Sequence, residues 1–324
     1  MAVNNTPPLV VSIVINNYNY ASFVGQAIDS ALNQSYGKVE VIVVDDGSKD
    51  NSRDIINSYG DKIVPVFQEN GGQAAAFNAG FAHSSGDIIC LLDADDLVLQ
   101  NRAEQVVSMF RQHPEIDWFF HESAPVDADK ITNLTLTELY KQHDKDLTKI
   151  SFETNDFKTN LCGGELPYFA PSTSNLCFSR ELLDGFFPLP EVKGVSGLAI
   201  CDFYLRIVAV WLGIGIKTED YLGVFRLHEN NLYTTQAVAK KQKTDCEILL
   251  FTAYYLSINY SALKKMSSKL LSKSICLHWH VSSGDFDYSD VIDKCKSKFS
   301  YLEQLTVSLK ASLYSVKLRF SKLI

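Results

Sequence analysis

The chain has 324 residues, 46% of them hydrophobic and 21% charged, with a formal net charge of −8. That balance excludes a disordered chain, a collagen-like repeat and a small disulfide scaffold. The length suffices for one large α/β domain with an appendage, or for two domains, and for a sizeable core.

The opening MAVNNTPP lacks the basic n-region of a signal peptide. No apolar run approaches the ~18–20 residues of a membrane helix, so a cytoplasmic protein is expected. Leu9–Ile15 (LVVSIVI) has the β-branched run of a strand buried on both faces. Tyr20–Gln34 then places Phe23, Ala27, Ile28, Ala31 and Leu32 at helical spacing. Strands are predicted at Val39–Val44, Ile63–Gln68, Asp87–Leu92 and Ile116–His121, and helices at Ser52–Tyr59, Gln73–Ala82 and Asn101–Gln112. Strands separated by helices imply right-handed crossovers and a mostly parallel sheet. Ligands of such sheets bind outside the carboxyl ends of the strands.

Residues 122–165 are polar and aperiodic and read as a loop near the active face. Residues 166–228 return to mixed structure. From about 236 the pattern turns helical and basic. Residues 1–239 carry 16 Lys+Arg against 31 Asp+Glu, net −15, while residues 240–324 carry 14 against 7, net +7. The acidic body argues against nucleic-acid binding and suits a divalent cation bridging carboxylates to an anionic ligand. In the basic tail, apolar residues recur at near-helical spacing among Lys310, Lys317, Arg319 and Lys322. Such a helix either packs on the body with a solvated outer face or rests on an anionic membrane or a partner. The seven cysteines are odd in number, with no C-x-x-C pair, and read as reduced, buried thiols.

Asp93-Ala94-Asp95-Asp96 ends the strand DIICLL. Three carboxylates there cannot all ionise cheaply without a cation, and hard oxygen donors suit Mg2+ or Mn2+, which often also hold phosphates. The plain structural reading is a cap, with Asp96 capping the next helix. Asp45-Asp46-Gly47-Ser48 reads as a tight turn and helix cap, or as a carboxylate that accepts a hydrogen bond from a nucleobase. Asn16-Asn17-Tyr18 offers amides and an aromatic face on which a base can stack, or is simply a strand-to-helix turn.

Taken in order, SIVINNYNY, VEVIVVDDGSKDNS, NGGQAAAFNAGF and GDIICLLDADD resemble the family 2 glycosyltransferases, strongly over about residues 9–112 and weakly to about 228. The resemblance implies the GT-A fold, a Rossmann-like, mostly parallel sheet flanked by helices. It implies a catalytic domain over 1–235, with a nucleotide-binding half (9–112) and an acceptor half (113–235). A helical appendage follows over 236–324. On the donor side it implies Asn17, Tyr18, Asp45, Asp46, Asn70, Gln73, Asn78, Asp93, Ala94 and Asp95. Tyr18 flanks the base, Asp45 or Asp46 contacts it, Asp93 faces the ribose or a metal-bound water, and Asp95 binds the metal. Asn16-Asn17 stand where Pro-Thr is frequent, and Phe77 replaces the Arg that often precedes Asn78.

In the second half, PSTSNLCFSR resembles the family's acceptor-side strand, so Ser172, Thr173 and Ser174 line the sugar pocket or form a polar turn. GLAICDFYLR resembles the family's acidic helix start, where a carboxylate is the catalytic base; Cys201 replaces the usual Glu and Asp202 remains. An Asp is also a favoured helix cap. VFRLH resembles a late Arg-x-His segment, so His228 contacts the metal or the diphosphate, or is structural.

The expected activity is inverting, metal-dependent transfer from a nucleotide-diphosphate sugar, with a UDP-linked donor expected. The acceptor is a hydroxyl on a glycan such as a bacterial surface polysaccharide, a lipid-linked glycan or a protein. Homodimerisation or peripheral contact at the inner membrane face is expected of the appendage if it is not merely packed on the body. Cys201 and Phe77 favour a non-catalytic nucleotide-sugar-binding or scaffold protein as the alternative. A sugar nucleotidyltransferase needs a Gly-rich basic loop after the first strand, where NNYNYASF stands. A dehydrogenase needs G-x-G-x-x-G there, and an aspartyl phosphatase needs its carboxylates on the first strand.

Overall fold

The computed structural model describes residues 7–132, 138, 154–193, 195–229, 231, 238–280 and 287–321. The polar stretch 133–153, apart from Glu138, lies outside them, as does the tail from Lys322. By its contacts the chain divides into two compact units.

The first unit comprises residues up to 156 together with 170–189 and 212–228. Its chain order is β1 (Val11–Asn17), α1 (Val24–Leu32), β2 (Val39–Asp46), α2 (Ser52–Asn57), β3 (Val64–Gln68), α3 (Gln73–His83) and β4 (Ile88–Asp93). Then come β5 (Leu97–Val98), α4 (Arg102–Gln112), β6 (Trp118–Asp127), α5 (Ala128–Thr132), β7 (Thr154–Asn155), β8 (Leu176–Ser179) and β9 (Gly215–Leu227). The sheet runs β3-β2-β1-β4-β8-β6-β9-β5, with β7 beside β9.

The β3-β2-β1-β4 half is wholly parallel, as helical crossovers require. Val11, Ile13 and Ile15 of β1 pack with Ala27 and Ile28 of α1 on one face. Val14, Ile42 and Val44 are buried on the other, where α3 approaches so closely that a Cβ on Gly80 would meet Val14 Cγ1 at 2.2 Å. β3 is the edge strand, which is why it tolerates Pro65.

Antiparallel pairing enters with β8 against β4 and β6, and with β9 against β5 and β7, so the sheet is mixed. The expected fifth strand is longer than its apolar run. It continues through Glu122 to Asp127, because β9 lies parallel beside it and satisfies its polar half across a bulge. The expectation of a loop from residue 122 is therefore corrected: 122–132 is strand and helix.

The second unit comprises 157–169, 190–211 and the chain from 229. It thus takes in 157–169, 190–211 and 229–235 from the range that the sequence assigns to the catalytic domain. Its main helices are α6 (Asp202–Leu212), α7 (Val238–Asn259), α8 (Lys264–His280), α9 (Ser289–Lys296) and α10 (Tyr301–Ser321). Small polar residues let α7 and α8 meet. Ser274 Oγ donates to the Cys246 carbonyl at 3.0 Å, and Ser267 Oγ to that of Ala253 at 2.6 Å. The buried Glu247 carboxylate accepts from the Tyr288 hydroxyl and from the Ser196 N–H at 3.2 Å, tying the loop before α6 to α7. All seven cysteines are free thiols. Among the described residues no helix is long and apolar enough to cross a membrane.

Candidate active site

The parallel register sets the ends of β1, β2 and β4 in one row. Asn17 stands opposite Asp45, and Asn16 opposite Asp93. Asn17 Nδ2 donates to Asp45 Oδ1 at 2.9 Å, and Asn16 Nδ2 to Asp93 Oδ1 at 2.8 Å. The chain then turns through Asn19 at φ 58°, a left-handed conformation that Asn accepts better than most residues. The Asn19 N–H donates to Ser48 Oγ at 2.8 Å. Beside this turn Tyr18 is 45% exposed, an aromatic face open to solvent.

The two aspartates of β2 have separate duties. Asp46 accepts from Gln68 Nε2 (2.7 Å) and the Gly71 N–H (2.8 Å) at one oxygen, and from the Gly72 N–H (2.8 Å) at the other. Its carboxylate thereby shapes the Asn70–Gln73 turn. Asn70 Nδ2 in turn donates to the Asp46 carbonyl at 3.0 Å. Asp45 pairs with Arg53, Nε to Oδ2 at 2.8 Å, and the Arg53 guanidinium lies over the Phe67 ring. Neither aspartate caps α2 as expected: its N-cap residue is Asn51, with no side-chain capping bond, and the preceding Asp50 accepts from the Ser52 N–H at 3.0 Å. Asn78 exchanges two hydrogen bonds with the Leu189 backbone, and Gln73 Nε2 donates to Thr173 Oγ1 at 3.3 Å.

Asp93, Asp95 and Asp96 each offer an oxygen within 4.8 Å of the others. Asp96 is not the helix cap foreseen, since β5 intervenes before α4. Its buried carboxylate engages Ser174 Oγ at 2.6 Å and accepts from the Arg226 N–H at 3.0 Å. Burial, then the charges of Asp95 and Asp93, push its pKa well above the usual carboxylate value, while those two bonds oppose the rise. Ser174 Oγ also accepts from the Asp93 N–H at 3.1 Å. The Ser174 side chain therefore faces the acidic loop. Its carbonyl accepts from the buried Arg102 guanidinium, whose Nε reaches His121 Nε2 at 3.0 Å.

Asp95 is flanked by residues from two distant segments. His228 Nε2 lies 3.1 Å from its Oδ2, and the Tyr20 hydroxyl hydrogen-bonds to it. Burial, followed by the charges of Asp95 and Asp93, drives the Tyr20 hydroxyl far above its ordinary pKa, so it stays a donor. The His228 ring packs on Phe23 at 4.5 Å and edge-on to Tyr20 at 5.9 Å. Arg226 Nε donates to the Asp95 carbonyl at 2.6 Å, with its guanidinium over Phe23 at 4.8 Å.

This donor set fits a hard divalent cation. Crowded carboxylate oxygens repel one another, one of them is pushed toward protonation, and an imidazole nitrogen stands beside Asp95. Both Asp96 oxygens are engaged by Ser174 and Arg226, so Asp95, Asp93 and His228 are the groups whose chemistry suits them to ligate such a cation. Tyr20, Phe23, Arg53 and Arg226 join the site without a motif of their own: Tyr20 is marked in the sequence only by its place in NNYNY, and Arg226 only by its nearness to His228.

Asp202 belongs to the second unit, as the first residue of α6, where free backbone N–H groups favour a carboxylate. The buried Cys201 thiol hydrogen-bonds to it. Burial first, then the Asp202 charge, push that thiol far above its usual pKa.

Residues 12–164 match the family model described as glycosyl transferase family 2. An uncharacterised glycosyltransferase of Nostoc sp. is 34% identical over 238 residues, covering 72% of this chain and 69% of that protein. Among solved structures, Staphylococcus aureus TarS superposes with a TM-score of 0.57 at 15% identity, over 95% of this chain and 54% of TarS. Its 1–349 portion has been solved with UDP-GlcNAc. A mannosyltransferase of Pyrobaculum calidifontis, solved with GDP-mannose and Mn2+, gives 0.53 at 15% identity, over 95% of this chain and 81% of that one. At such identities the superpositions speak for the fold.

Proposed function

The chain belongs to glycosyltransferase family 2, and from that premise we propose an inverting, metal-dependent transfer of a sugar from a UDP-linked donor to an acceptor hydroxyl. The observation that carries this reading is the row of Asn17, Asp45 and Asp93 along adjacent strand ends, with Asp95 in the turn just after β4. Tyr18 stacks on the base. Asp45, held by Asn17, Arg53 and the Ser48 N–H, accepts a hydrogen bond from it. Asn70, Gln73 and Asn78 bound the donor side, Asp93 faces the ribose, and Ala94 keeps the chain close between Asp93 and Asp95. Ser172 and Thr173 stand toward the acceptor.

Asp95 and His228, with Asp93 beside them, would hold the divalent cation, Mn2+ or Mg2+, whose charge would offset the negative charge on a leaving diphosphate. Asp202 takes the proton of the acceptor hydroxyl as its oxygen attacks the anomeric carbon. The bond from that carbon to the diphosphate oxygen breaks on the opposite face, and UDP leaves. The acceptor class is a glycan, a lipid-linked glycan or a protein.

The test is a panel of nucleotide sugars with and without Mn2+ or Mg2+, read by thermal shift and by slow donor hydrolysis. A UDP-sugar should stabilise the protein only with metal, by about 2.7 kcal/mol at a hundred times Kd. Asp95→Ala should abolish that shift. Asp202→Asn should keep donor binding and lose transfer; transfer at the native rate would remove Asp202 from the mechanism.

A further inference from the structure

Helix α10 has two opposite faces. The inner one is built of small residues: Val307, Ala311 and Ser315 are buried, and Ser315 Oγ lies 2.8 Å from His280 Nε2 on α8. The outer one carries Leu302, Leu305, Leu309, Leu313 and Val316, at steps of 3, 4, 4 and 3 residues. At about 100° per residue these fall within one narrow arc, over about 21 Å of helix. Leu302 is 73% exposed, Leu309 64% and Leu313 55%, so among the described residues nothing covers this stripe. Five large aliphatic side chains in line on a surface mark an interaction site rather than scattered exposure.

The charges choose the occupant. Lys310 and Lys317 are exposed along one flank of the stripe. The helix has a single acid, Glu303, and it is occupied: Lys264 pairs with it at 2.9 Å, and the Ser300 N–H and hydroxyl donate to it. A second copy laid on this face would set cations against cations, with no free acid to answer them. An anionic lipid surface accepts both elements, the leucines at the acyl boundary and the lysines among the headgroups, on long stems that reach outward. We propose that the outer face of α10 docks the protein on an anionic membrane surface.

Flotation of the whole chain with vesicles tests this. The protein should float with phosphatidylcholine vesicles containing phosphatidylglycerol and stay unbound with phosphatidylcholine alone, and raised salt should release it. Lys310→Glu with Lys317→Glu should weaken binding by about tenfold or more. Leu305→Ser with Leu309→Ser should weaken it about a hundredfold. All four residues are exposed, so circular dichroism and thermal melting should match the parent, as should UDP binding. Three outcomes overturn the proposal: no flotation with the anionic vesicles, flotation unchanged by the leucine pair, or a dimer that the leucine pair dissociates, which would give the face to a second copy.

Discussion

His228 Nε2 lies 3.1 Å from Asp95 Oδ2, although 133 residues separate them. The short strand β5 brings this about: Leu97 and Val98 pair antiparallel with Val224 and Gly223, so the ends of both segments run side by side. Arg226 completes the link through the Asp95 carbonyl and the Asp96 carboxylate. His228→Ala should therefore lower Mn2+-dependent binding of UDP by about 10- to 100-fold, the range for losing a metal-site partner. Titration calorimetry with UDP, with and without Mn2+, checks this.

Ser174 bridges Asp93 and Asp96 through one hydroxyl. Ser174→Ala leaves the buried Asp96 oxygen and the Asp93 N–H without that partner. The expected loss is about 1–3 kcal/mol in urea unfolding. Ser172→Ala, in the same turn, should cost less, since no hydrogen bond to its hydroxyl is found among the described residues.

Gly47 has φ +77°, and a Cβ there would meet the Asn70 backbone nitrogen at 2.6 Å. Gly47→Ala combines left-handed strain with a backbone clash. It should destabilise by more than about 1 kcal/mol and loosen the 70–72 turn that Asp46 holds. Differential scanning calorimetry reads the first effect, and a weaker UDP-induced shift reads the second.

Glu40 supplies a pH signature. Burial opposes its ionisation, but hydrogen bonds from the Ser12 hydroxyl, the Ser85 N–H and hydroxyl and the Gly86 N–H outweigh it and hold the carboxyl below its ordinary 4.5. A depressed carboxylate adds stability that is fully present above the unfolded value and lost as pH falls through the folded one. Glu40→Gln should thus be destabilising at neutral pH, with the difference from the parent shrinking below pH 4.5. Urea midpoints across the acid range measure it.

The parallel half of the sheet was legible because its signals are local. LVVSIVI and DIICLL are strands by their own β-branched, apolar composition, and a parallel alternation puts the residue after each strand on the ligand edge. Asn17, Asp45 and Asp93 therefore needed no knowledge of distant residues. The polar half of β6 was not legible, because Glu122–Asp127 is strand only by virtue of β9 beside it.

What the sequence alone determined is thus the alternation of elements, the family they resemble, and which carboxylates end which strands, all consequences of periodicity within a few residues. Only the tertiary structure decided how those carboxylates are held. Ser174, Arg226, His228 and Tyr20 reach Asp93, Asp95 and Asp96 through strand pairings and packing that no short window encodes. The same holds for α10. Its apolar spacing is plain in the sequence, but which face is inside depends on where small residues let another helix approach: Val307 and Ala311 went inward, and the leucines were left outside.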